Sequence, residues 1–230
     1  MNQKQRLRTN IQMSNKGFIL RRPFPYTYKR AALFLVLINF CIFGIRFVYP
    51  NLAEYVHYYG AMNPMLVEQY HMYWQFLTYM FVHQDIHHVF FNMLALLVFG
   101  MGLERAIGSR EFMLFYIVCG VLSGFFSFLV YRFTGQYQVF LLGASGAVYA
   151  VLFAYAVFFP RSVIFIWGII PVPAPLLVFI YALIELGSQF FGSSNVAHMT
   201  HLFGFLAAWL YFVIRMGIHP VKIWKDTYRK

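Results

Sequence analysis

The stretch GASGAVYA, residues 143–150, sets a single serine among glycines and alanines inside an apolar run. Two readings compete for Ser145. It is either a small side chain that lets two membrane helices pack closely, or a hydroxyl kept for chemistry. The apolar run continues to Pro160 and Arg161, about 22 Å of helix against a hydrocarbon layer of about 30 Å. With Pro160 and Arg161 at the inner surface, the helix starts below the outer one. Gly143 and Gly146 allow the chain to break there. Residues 139–142 then enter the membrane as non-helical chain, which is tolerable only where protein or water covers their polar groups. A submerged helix start beside a serine points to function.

Composition puts the rest of the chain in the same setting. Hydrophobic residues make up 61% and charged residues 11%, whereas soluble domains run near 45–50% apolar and about 25% charged. Aromatic residues reach 21%, a density suited to membrane–water interfaces. Apolar runs predict six helices at about 31–49, 88–104, 112–131, 145–159, 174–190 and 198–216. The expected fold is an all-α membrane protein, a bundle of six transmembrane helices with a large outer loop between the first two. Residues 1–30 read as a basic tail, 31–216 as the membrane domain and 217–230 as a second basic tail. No secretory signal is expected, because about 30 polar and basic residues precede the first run and no small-residue cleavage site follows it.

The net charge of +11 invites a nucleic-acid reading, but the cations sit at the chain ends, outside the apolar runs. With both termini inside, 16 of the 18 Lys and Arg residues fall on the inner side, leaving only Arg46 and Arg132 outside. That asymmetry predicts cytoplasmic termini and excludes nucleic acid as a partner in favour of the bilayer. Cys41 and Cys119 lie in separate apolar runs without metal or disulfide spacing. The segment 50–87 carries Tyr55, Tyr58, Tyr59, Tyr70, Tyr73 and Trp74 but no Lys or Arg, and reads as a partly helical loop lying at the outer interface.

Polar side chains inside a membrane are costly and need a reason. Measured along each helix from its inner-face charge, Ser145, His201 and His88 lie roughly 21–24 Å up and Asn92 about 18 Å. They share a layer. Gly146, Ala150 and Ala154 form a small-residue stripe, as do Gly204 and Ala208, so the helices carrying Ser145 and His201 can approach closely. A serine hydroxyl needs a base, and His201 is preferred to His198 because it directly precedes its stripe. Backbone N–H groups at the helix start, with His88 and Asn92 spaced i,i+4 on one face, can hold an oxyanion. No acid is expected near His201: Asp85 lies further out and Glu185 reads as a structural residue, which leaves a Ser–His dyad. GASGA is not GxSxG, and no strand precedes it, so an α/β-hydrolase elbow is excluded.

At these residues the sequence resembles the rhomboid family of intramembrane serine proteases. The matching pieces are His88-x-x-x-Asn92, Gly143-Ala-Ser145-Gly146 and His201-x-x-Gly204, in that order on helices two, four and six. The resemblance implies Ser145 as nucleophile, His201 as general base, and His88, Asn92 and the Ser145 amide as the oxyanion site. It implies Tyr149 as the ring packed against the imidazole and His83 as a further histidine before helix two. Residues 74–81 resemble the family's outer-loop motif with Gln75 in place of its arginine, and Ala208 replaces a glycine.

The expected activity is cleavage of peptide bonds in or near transmembrane segments of other proteins, in a bacterial inner membrane and without a cofactor. Two rivals remain: a silent relative that binds membrane clients without cutting them, and a metal-binding or transport protein built on His83, His87, His88, His198 and His201. The second is disfavoured because no carboxylate or thiolate is expected to complete the set.

Overall fold

The computed structural model describes residues 24–166, 168–191 and 195–229. Most of the predicted basic tail, residues 1–23, therefore lies outside the described residues. The chain is predominantly helical. Helices α1 (Ala31–Val48), α5 (Ile86–Ile107) and α6 (Ser109–Phe133), with the His198–Met216 part of α9, are long and apolar enough to cross a membrane. Helix α7 (Ser145–Phe158) is shorter, as is the Ala174–Ser188 apolar part of α8 (Ala174–Phe191). The α9 helix, Asn195–Tyr211, is prolonged by a π-helical turn, Phe212–Met216.

The order of these helices follows from what each end offers. Arg30 provides no side-chain cap for α1; instead the buried Glu104 carboxylate accepts the Ala31 and Ala32 amides at 2.7 and 3.1 Å. Four amides at a helix start lack intrahelical partners, and a carboxylate there meets both the orphan donors and the helix dipole. Ser109 also donates to Glu104. Glu104 is fully buried within the protein, at the end of α5 that meets the start of α1.

The segment between α1 and α5 folds into short helices: α2 (Pro50–Gly60), α3 (Pro64–Tyr70) and α4 (Gln75–Thr78). Proline opens two of them, where its missing N–H costs nothing. No residue of α2 is buried, and Tyr55, Tyr58 and Tyr59 stand exposed on it. The fully buried Gln75 ties this segment together. Its Nε2 donates to the Tyr58 carbonyl at 3.1 Å and its Oε1 accepts the Asn63 amide at 3.1 Å. Trp74 Nε1 adds a bond to the Tyr59 carbonyl at 2.9 Å.

α7 occupies the centre, touching α5, α6, α8 and α9. Every residue from Gly146 to Phe158 is buried except Tyr149 and Tyr155. The preceding chain is non-helical, as expected, and protein groups pair several of its polar atoms. Leu141 and Met62 exchange two backbone hydrogen bonds of 2.8 Å, and Asn63 Nδ2 donates to the Tyr137 and Val139 carbonyls.

Two departures from the expected architecture stand out. Residues after α7 form an antiparallel hairpin, β1 (Val163–Ile166) with β2 (Ile170–Pro173), where only a proline-rich lead-in was expected. The predicted C-terminal tail holds α10 (Pro220–Tyr228), docked on α7. Trp224 Nε1 donates to the Ala156 carbonyl at 3.0 Å, and the Tyr228 hydroxyl to the Pro160 carbonyl at 2.6 Å.

Candidate active site

Ser145 is the first residue of α7, and no side chain caps that helix start. Its leading amides are therefore unclaimed by any cap. Gly143 reaches it with φ of 110°, a conformation that side chains rarely adopt. A Cβ at Gly143 would also lie 2.5 Å from His88 Nε2, so the glycine is needed twice: for its backbone angle and for the imidazole packed on it.

His88 and Asn92 share one face of α5, and Asp85 caps that helix by accepting the His88 amide at 2.9 Å. Asn92 Nδ2 donates to the His88 carbonyl at 2.8 Å. Asn92 is thus satisfied within its own helix through one N–H and keeps a second donor. His83 lies beside His88, their rings edge-to-face at 5.1 Å. The Ala144 amide donates to His83 Nε2 at 3.3 Å. Burial, reinforced by the neighbouring His88, pushes His83 down to about 3 and keeps it the neutral acceptor this bond requires. His83 thereby braces the residue just before Ser145.

The facing wall is α9. A Cβ on Gly204 would collide with the Gly146 carbonyl oxygen and come within 3.2 Å of Tyr149 Cβ. Backbone therefore meets backbone at this crossing, as small residues permit. One turn along α7 from Ser145, the Tyr149 ring stacks on His201 with centroids 4.1 Å apart and planes 8° from parallel. Thr200, next to His201, bonds to the buried Ser127 hydroxyl of α6 at 2.7 Å. Ser145 and His201 thus belong to one contiguous seam. Among the described residues, however, no hydrogen bond joins the Ser145 hydroxyl to His201, a bond that in unliganded sites often tightens only with substrate.

The expectation that no acid lies near His201 is overturned. Glu185 of α8, 4% exposed, meets His201 Nδ1 at 2.8 Å, His198 Nδ1 at 2.5 Å and the Tyr149 hydroxyl at 2.5 Å. His198 shares the same carboxylate with 27% of its side chain still exposed. Among the described residues, Glu185, His198 and His201 offer ligand atoms all within 4.8 Å of one another, a grouping with the geometry to hold a metal ion. The argument that no carboxylate completes the histidine set therefore falls, although the set excludes His83 and His88. A sequence signal existed: a lone acid in an apolar helix, and two histidines three apart on another.

Comparison with known proteins identifies the family. The Rhomboid domain family model matches residues 70–217, which contain every candidate residue from His83 to Gly204. "RHOMBOID-like protein 12, mitochondrial" of Arabidopsis thaliana is 31% identical over 147 residues, covering 56% of this chain and 42% of that protein. "Rhomboid protease GluP" of Bacillus subtilis is 34% identical over 94 residues, 41% of this chain and 17% of the relative. "Putative rhomboid protease YdcA" of the same species is 27% identical over 139 residues, 60% and 64% respectively. The chain spans less than two thirds of the length of each. Since the family match runs over well more than half of its residues and takes in α7 and α9 together, this integral membrane chain belongs to the rhomboid family.

Proposed function

We propose that the protein is an intramembrane serine endopeptidase acting on transmembrane segments of other proteins. Ser145 is the nucleophile and His201 the general base. The Ser145 amide, His88 and Asn92 hold the oxyanion. In the first step the Ser145 oxygen bonds to the scissile carbonyl carbon while its proton passes to His201; that proton then leaves with the amine as the C–N bond breaks. Water hydrolyses the acyl-enzyme by the same route.

The observation that carries this reading is the Tyr149 ring stacked on His201, one helical turn from a serine at an uncapped helix start. Small-residue packing alone requires neither the histidine nor the uncapped amides. The relatives named rhomboid proteases support the activity class. Six crossings, α1 and α5 to α9, with both termini on the basic inner side, complete the topology we assign. The membrane domain runs over 31–216, with the segment 50–85 on the outer side. The bacterial inner membrane stays the proposed host, beside the mitochondrial setting of one relative's name.

The test is covalent trapping. A fluorophosphonate is expected to label the purified protein, and both labelling and cleavage of a transmembrane substrate are expected to vanish in Ser145→Ala and in His201→Ala. Equal labelling of those variants removes the assignment. Labelling without any cleavage points to the client-binding rival. The metal-binding rival draws on the Glu185, His198 and His201 grouping, and predicts tight zinc uptake with Ser145→Ala harmless.

A further inference from the structure

We propose that Glu185 is the positioning residue for the His201 imidazole, so that the site works as three members from α7, α8 and α9; this rests on the Ser145 and His201 reading above. A buried carboxylate is expensive unless hydrogen-bonded and paired. Glu185 is buried, and its ion-pair partners among the described residues are the two imidazoles, with no Lys or Arg. Oε1 takes His201 Nδ1 at 2.8 Å together with the Tyr149 hydroxyl at 2.5 Å, and Oε2 takes His198 Nδ1 at 2.5 Å. Such a residue is built for these contacts rather than left over from packing.

The chemistry follows from what a carboxylate can do. It only accepts hydrogen bonds, so the imidazole facing it carries its proton on Nδ1. Nε2 of His201 is then the unprotonated nitrogen, ready to take the Ser145 proton. When that proton arrives, the imidazolium forms with its Nδ1–H already 2.8 Å from a negative charge. Glu185 takes no proton itself; it fixes the tautomer and stabilises the charge, the role of the acid in serine-hydrolase triads. Two restraints on the ring divide the work. Stacking on Tyr149, at 8° between planes, sets the plane of the imidazole, and Glu185 sets its rotation within that plane. His198, holding the second oxygen, stops the carboxylate from turning away.

The test uses the full chain in proteoliposomes with a transmembrane substrate and rates expressed per titrated active site. Glu185→Gln keeps the size but offers an N–H that favours the wrong tautomer. We expect kcat to fall by about 10²–10⁴-fold with KM changed less than about twofold. Imidazole ¹⁵N spectra are expected to report His201 protonated at Nδ1 in the parent and shifted toward Nε2 in the variant. An unchanged kcat in Glu185→Gln overturns the proposal, as does a lower kcat with unaltered ¹⁵N shifts. One equivalent of metal in the parent, lost from the variant, also overturns it, because Glu185 is then a ligand. Persistent parental labelling in Ser145→Ala strikes the underlying reading instead, so the two failures are distinguishable.

Discussion

α7 and α8 are consecutive helices held by opposite means. α7 is enclosed on nearly every side, and a Cβ on its Gly146 would lie 2.8 Å from Ser123 Cβ and 3.1 Å from Thr200. α8 turns Leu176, Phe179, Leu183, Ile184 and Leu186 outward, and its Gly187 has nothing within 4 Å. Its buried points are Ala174, Leu177 and Val178 near the start and Glu185 further along. The contrast reflects the solvent. Lipid is as apolar as leucine, so greasy surface alone presses no helix into a bundle. α7 is fixed by shape on nearly all sides, whereas α8 packs through its buried start and holds Glu185 as the buried charged group further along.

The sharpest way to break this contrast is at the seam. Gly204→Val is expected to drive a branched side chain into the α7 backbone and cost about 3 kcal/mol or more, read as a large drop in thermal midpoint in detergent with activity lost. A tolerated valine would mean that the α7–α9 crossing is not rigid. Next in size comes Gln75→Ala, which leaves the buried Asn63 amide and the Tyr58 carbonyl short of a partner, while Trp74 still serves the Tyr59 carbonyl. A loss of about 1–3 kcal/mol is expected, with activity retained at low temperature. The smallest effect tests α8. Gly187→Ala is expected to stabilise by up to about 1 kcal/mol through helix propensity; a fall in stability would reveal a neighbour where the structure has open space.

The sequence carried the seam better than it carried α8. Ser145, His201, Gly146 and Gly204 were legible because small residues and polar groups interrupt an apolar background. The early start of α7 was legible from its distance to Pro160. α8 is apolar nearly all round, so no stripe reveals which face Glu185 presents, and its pairing with His201 across helices could not be read. At Gln75 only the replacement of an arginine was visible; the structure supplies three backbone partners for it, Asn63 N and the Tyr58 and Tyr59 carbonyls. In the hairpin, apolar Val163–Ile166 resembles any other greasy run. α10 does leave a signal: Pro220 stands where a helix begins, with Ile223 and Trp224 one turn on.

The docking of α10 bears on how the protein can be handled. α7 is short, and its last carbonyls lack intrahelical donors; Trp224 supplies one to Ala156, and Tyr228 reaches Pro160 just beyond. The end of α7 opposite Ser145 is therefore closed by α10. Removing α10, or straining it with a bulky fusion, disturbs the end of α7 on which it docks rather than trimming a dispensable appendage.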